Sequence, residues 1–143
     1  MEDVRVQVIR ELDAPVDTVW AVVSDFGNVS WAAPETQVDV IGEGVGMVRR
    51  MHTPGGAVEE VLETCDAATR SFSYRIPGAM PMPVSDFHAW VQLEPIGDAR
   101  THISWNASAK TLPGLTGAEA QALFEGLYGG LLDALTVHVT KVA

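Results

Sequence analysis

TGAEAQALFEGLYGGLLDALTVHVTKV, residues 116–142, reads as one long amphipathic helix. Thr116 and Glu119 form a T-x-x-E capping box, in which each side chain meets a backbone donor left free at a helix start. Leu123, Phe124, Leu127, Leu131, Leu135 and Val139 recur at three- and four-residue steps. Gln121, Glu125, Asp133, Thr136 and Thr140 mark a narrower wet side. At ~1.5 Å per residue the helix is roughly 40 Å long, enough to cross a small domain. Apolar over more than half its girth, it needs a concave partner, and the residues before it must supply one.

The 143 residues suit a single domain, 1–143, with one substantial core. Nine Lys and Arg against nineteen Asp and Glu give a net charge of −10. That balance disfavours nucleic acid and anionic membrane, because neither is attracted at long range. No window approaches the ~18–20 apolar residues of a membrane helix, so membrane insertion is not expected. The charged start, Met1-Glu2-Asp3-Val4-Arg5, lacks the apolar core of an export signal. Cys65 is the single cysteine and has no partner for an internal disulfide. A cytoplasmic protein is the expectation.

Val4, Val6 and Val8 alternate with Arg5 and Gln7, a half-buried strand running to Leu12. Ala14-Pro15 stops it, and Val16, Val19, Trp20 and Val23 form the buried stripe of a short helix. A second short helix or turn, Asn28 to Ala33, carries Trp31 and ends at Pro34. The period then changes to that of strands: 38–41, 46–52, 57–65, 72–76, 85–94 and 101–109. Gly42-Glu43-Gly44, Pro54-Gly55-Gly56, Asp66-Ala67 and Pro95-Ile96-Gly97-Asp98 punctuate them. Such short connections favour antiparallel hairpins. The expected fold is α+β: a curved antiparallel sheet of about seven strands wrapped around the long C-terminal helix.

In this arrangement the chain resembles the START-like helix-grip superfamily, which includes birch-pollen-type allergens, plant abscisic acid receptors and bacterial polyketide cyclase/dehydratase and lipid transport proteins. The matching residues are Ala14-Pro15, Val19-Trp20, Asp25-Phe26, Trp31, Glu60-Val61-Leu62 with Asp66, Pro83-Val84-Ser85-Asp86-Phe87 and Trp105. They span essentially the whole chain. The resemblance implies an internal cavity between sheet and long helix for a hydrophobic or amphipathic ligand. It also implies that Glu60 faces that cavity. The plant receptors set a lysine beside an aromatic in the second short helix, to anchor a carboxylate; here Trp31 is followed by Ala32, so that anchor is absent.

The sharpest candidate site lies in the hairpin around Thr53-Pro54-Gly55-Gly56. Pro then Gly suits the centre of a type II turn, and that register sets Arg49 opposite Glu60, flanked on the same face by Met51–Val58 and Met47–Leu62. A charge pair in an apolar face is costly to bury. Either it lines the cavity and orients a ligand's carboxylate, phenol or carbonyl, or it is a structural pair that fixes strand register. Strand parity turns Phe72, Tyr74 and Ile76, then Phe87, Ala89 and Val91, then Ile103, Trp105 and Ala107 inward. With Leu123, Leu127 and Leu131 of the helix, the hairpin residues, Phe72, Tyr74, Phe87, Ala89 and Trp105 are the candidate ligand contacts.

Pro77-Gly78-Ala79-Met80-Pro81-Met82-Pro83 offers adaptable apolar surface for a cavity mouth, or is a plain connection. Gly126, Gly129 and Gly130 each cost a helix ~1 kcal/mol, and tight packing, a close ligand or a kink would each explain them. His52, His88 and His102 point outward, His138 sits near the helix end, and no metal spacing, phosphate loop or dinucleotide fingerprint occurs. No cofactor or metal is therefore expected. Three functions fit: enclosure of a hydrophobic small molecule by a carrier, sensor or lipid-transport-like protein; a polyketide cyclase/dehydratase-type enzyme with Glu60 as general base, Arg49 steadying an enolate and Tyr74 as donor; or a protein-interaction module with a vestigial cavity.

Overall fold

A computed structural model describes residues 1–142. Strand β1 (Asp3–Leu12) leads into helix α1 (Val16–Val23), followed by β2 (Val38–Ile41), β3 (Val48–Thr53), β4 (Gly56–Asp66), β5 (Ser71–Ile76), β6 (Val84–Ile96), β7 (Arg100–Thr111) and helix α2 (Gly117–Val142). The seven strands form one sheet in the order β1-β7-β6-β5-β4-β3-β2, and every neighbouring pair is antiparallel. Each hairpin therefore adds a strand beside its predecessor, and β1 closes the order against the last. This is the antiparallel sheet and long C-terminal helix that the strand and helix periods imply, in the arrangement of the helix-grip fold.

Pro15 acts as the N-cap of α1 rather than its first helical residue, its carbonyl accepting from Thr18 and Val19 at 3.0 and 3.2 Å. The second short element forms as a turn: Val29 accepts from the amides of Ala32 and Ala33 at 2.9 and 2.8 Å. Asn28 captures both the amide and the hydroxyl of Ser30, and Pro34 follows directly, so no helix propagates.

Helix α2 starts where its capping box sets it. Thr116 Oγ1 accepts from the Glu119 amide, and a Glu119 carboxylate oxygen accepts from the Thr116 amide, both at 3.1 Å. Glu2 adds a carboxylate to this positive helix end, accepting from the Gly117 amide at 2.8 Å. The first strand thereby pins the last helix. α2 packs mainly along β1, with further contact to β7 and α1. Its buried stripe is Ala120, Phe124, Tyr128, Leu132, Leu135 and Val139. Leu123 and Leu127 instead remain 49% and 55% exposed, because the helix is rotated by about one residue from the expected seam.

The inward parity of the sheet holds throughout. Phe72, Tyr74, Ile76, Phe87, Ala89, Val91, Ile103, Trp105 and Ala107 are all buried in one core. Irregularities between Leu62 and Thr64 in β4, and between Ser85 and His88 in β6, interrupt the ladders. The second turns on Asp86, which takes a left-handed φ of 52°. Such bulges bend strands and increase twist, which suits a sheet that must curl around a helix.

Candidate functional site

The β3–β4 hairpin places the two charges. Arg49 pairs with Glu60 across the ladder, Met51 with Val58, and Thr53 with Gly56. The amide of Leu62 donates to Met47 O at 3.0 Å and that of Gly46 to Leu62 O at 2.8 Å, extending the register past the strand end. The turn itself differs from expectation. Gly56, not Gly55, carries the positive φ, 117°, so the turn is not type II. Both geometries leave Thr53 opposite Gly56, so the register survives.

Arg49 and Glu60 are each only 7% exposed. Arg49 Nε donates to Glu60 Oε1 at 2.7 Å, and Nη1 donates to the Phe26 carbonyl at 2.9 Å. The guanidinium also lies 3.9 Å from the Phe26 ring centre and 5.0 Å from that of Tyr74. Stacking on aromatic faces and two charge-assisted hydrogen bonds are what a buried arginine requires. Phe26 reaches this position from the segment after α1, which explains why Asp25-Phe26 sits where it does in the chain.

Next to the pair, Trp105 Nε1 donates to the Tyr74 hydroxyl at 3.2 Å, and the Tyr128 hydroxyl is a second neighbour. Burial pushes the Tyr74 phenol well above its ordinary value, and the Glu60 carboxylate pushes in the same direction. Tyr128 is raised too, by burial first and then by Tyr74 and Glu60. Both tyrosines stay protonated at physiological pH and act as neutral polar groups. Around them Phe26, Phe72, Phe87 and Phe124 complete a continuous aromatic cluster with ring centres 5.6–6.5 Å apart.

Between this polar end and α2 lies a cavity of about 590 Å³, within the ~300–1,000 Å³ usual for small-molecule sites. Of the candidate ligand contacts, Arg49, Met51, Val58, Glu60, Tyr74, Phe87, Trp105, Leu127 and Leu131 line it. Five other candidates do not. Leu62, Phe72 and Ala89 are buried in the core beneath it. Met47 packs toward Gly27 and Val40 at the hairpin's far end, and Leu123 faces outward. Tyr128 and Phe124 take the place meant for Leu123, a consequence of the helix rotation.

The outer part of the cavity is formed by Trp31 and Ala33 from the turn, by Met80, Pro81 and Met82, and by Leu127, Gly130 and Leu131 of α2. The loop 77–83 and the 53–56 turn meet there: a Cβ on Gly55 would lie 3.4 Å from Pro81. The mid-helix glycines do not serve tight packing. A Cβ at Gly126 or Gly130 would meet nothing within 4 Å, and Gly130 borders the cavity. The exposed histidines join surface pairs, His52 with Asp39 at 2.7 Å and His88 with Glu63 at 2.9 Å. Hydrogen bonding to His52 holds the Asp39 carboxyl below its usual range. Among the described residues no group of three or more His, Cys, Asp or Glu could hold a metal, and no helix is long and apolar enough to cross a membrane.

Residues 3–140 match the family model described as polyketide cyclase / dehydrase and lipid transport. No curated protein matches the chain. Solved structures share its fold at low identity. An uncharacterised protein from Bacillus thuringiensis has a TM-score of 0.83 at 22% identity, covering 95% of this chain and 98% of its own. The Zhui aromatase/cyclase from Streptomyces sp. R1128 gives 0.80 at 21%, covering 98% and 95%. Norcoclaurine synthase from Thalictrum flavum, in complex with dopamine and hydroxybenzaldehyde, gives 0.78 at 18%, covering 98% and 88%.

Proposed function

The chain belongs to the polyketide cyclase / dehydrase and lipid transport family, and from that premise we propose that it encloses a hydrophobic or amphipathic small molecule between sheet and α2, as a carrier or sensor. The observation that carries this reading is the cavity itself, apolar along most of its wall and polar at one end. Apolar burial, at ~25 cal/mol per Å² before ordering costs, supplies the affinity. Arg49, Glu60, Tyr74, Tyr128 and Trp105 supply orientation. Met80 and Met82, unbranched and adaptable, suit the side through which a ligand enters.

An enzyme of cyclase type is the second reading, favoured by a buried carboxylate that retains cavity contact. Glu60 as base would use the oxygen that Arg49 does not hold. Tyr74 is a poor proton donor in such a scheme, because its raised pKa holds the proton tightly. Enclosure asks nothing of that proton.

Nile red, uncharged and fluorescent in apolar surroundings, tests the enclosure. The wild type should bind it with a blue-shifted, enhanced emission. Leu131→Trp, which enlarges a half-buried side chain of the cavity wall, should keep the fold by circular dichroism and lose most of the signal. No binding by the wild type, or equal binding by the filled variant, rejects the reading.

A further inference from the structure

The polar end of the cavity has a charge balance that selects among ligands. Arg49 and Glu60 are the only basic and acidic side chains of the wall. They sit 2.7 Å apart and neutralise one another. Arg49 spends Nε on Glu60 and Nη1 on the Phe26 carbonyl, and Glu60 spends Oε1 on Arg49. Among the described residues no buried side-chain nitrogen or oxygen lacks a partner. Arg49 Nη2 and Glu60 Oε2, which make no further hydrogen bond within the protein, are therefore open to the cavity. One is a donor, the other an acceptor, and they belong to adjacent cross-strand residues.

We propose that the enclosed ligand bears an uncharged polar head with a hydrogen-bond acceptor and donor on neighbouring atoms, as in an amide or a hydroxy-carbonyl, and that carboxylates are rejected. This rests on the enclosure reading above and specifies its ligand. The head's carbonyl accepts from Arg49 Nη2 while its N–H or O–H donates to Glu60 Oε2, closing a two-bond ring. A carboxylate would satisfy Nη2 but set its second oxygen against Oε2, leaving two anions and one cation in a desolvated end. Uncompensated buried charge is the costly case. An ammonium would satisfy Oε2 and oppose the guanidinium. A lone acceptor would leave Oε2 dry and unpaired, which costs the desolvation of that atom.

Three probes with one ring system separate these cases by isothermal titration calorimetry near neutral pH: naphthamide, methyl naphthyl ketone and naphthoate. The wild type should bind naphthamide about tenfold or more tighter than either of the others, the factor expected from one charge-assisted hydrogen bond. Glu60→Gln removes the anion, frees the guanidinium, and should reverse the order so that naphthoate binds tightest. Naphthoate binding as tightly as naphthamide to the wild type overturns the inference and leaves enclosure standing. An unchanged order in a folded Glu60→Gln protein does the same. Binding of none of the three, by protein that is folded, overturns both. The wild-type ranking decides the matter even where the variant does not fold.

Discussion

Replacing Arg49 by Met removes the cation that compensates Glu60, a carboxylate only 7% exposed. Four contacts go at once: the 2.7 Å bond to Glu60, the 2.9 Å bond to the Phe26 carbonyl, and the guanidinium's approach to the Phe26 and Tyr74 rings at 3.9 and 5.0 Å. Hydrogen bonds to charged groups are each worth about 1.5–3 kcal/mol, and a desolvated cation–π contact about 1–2 kcal/mol. Methionine returns part of this through its own apolar burial. The net loss should be about 3–5 kcal/mol, the cost of leaving one partner of a buried pair alone. For a domain of this size that lowers the melting temperature by roughly 10–17 °C. The double variant Arg49→Met with Glu60→Leu removes both charges and should return to within about 1 kcal/mol of wild type. Urea unfolding of the four proteins in the cycle measures the coupling directly. A loss below about 1 kcal/mol for the single variant would refute the premise that Glu60 depends on Arg49 for charge compensation. Cavity water would then be solvating Glu60 in the absence of its partner.

The protein's two tyrosines are both buried and both raised, so absorbance at the phenolate band should show no step near the ordinary value while the protein is folded. A folded-state phenol pKa above the unfolded value gives stability that is complete below about pH 10 and falls as pH rises beyond it; a phenolate step at ordinary pH without unfolding would refute the burial. Gly126→Ala should raise stability by about 0.5–1 kcal/mol in thermal melts, because its Cβ meets nothing; destabilisation would show that the helix needs backbone freedom there. Thr116→Ala should cost about 1 kcal/mol by losing its half of the capping box, and an unchanged melting temperature would mean that Glu2 holds the helix start alone.

The site's polar centre was legible because two strands joined by a short turn leave little freedom. Once Thr53 faces Gly56, the parity of the chain brings Arg49 to Glu60 whichever glycine takes the left-handed conformation. Pro-Gly-Gly offers two candidates, and the type II choice, which splays strands against their natural twist, loses to the one with Gly56 at positive φ. The same parity rule placed Tyr74 and Trp105 on the inner face. Depth was not legible from parity. Phe72 and Ala89 point the same way as Tyr74, yet end beneath the cavity floor, because which inward residue meets empty space depends on how far the sheet curls.

Helix α2 was harder for a reason that bears on its role. Two apolar stripes run side by side along it, one through Leu123, Leu127 and Leu131 and one through Phe124, Tyr128 and Leu132, about 100° apart. Periodicity alone does not choose between them. The first runs back into Glu119, which the capping box needs at the surface, whereas the second runs back into Ala120, small enough to lie against β1. The sheet takes the second. The first is then left over in water or at the cavity's outer wall, with Leu127 and Leu131 flanking Gly130 opposite Met80 and Met82. A helix that only closed a core would have no use for this breadth, and exposed leucines beside a helix-weakening glycine carry a cost in solubility and in stability. Their position at the rim gives that cost a return, since the same residues supply the apolar approach that an enclosed ligand must cross.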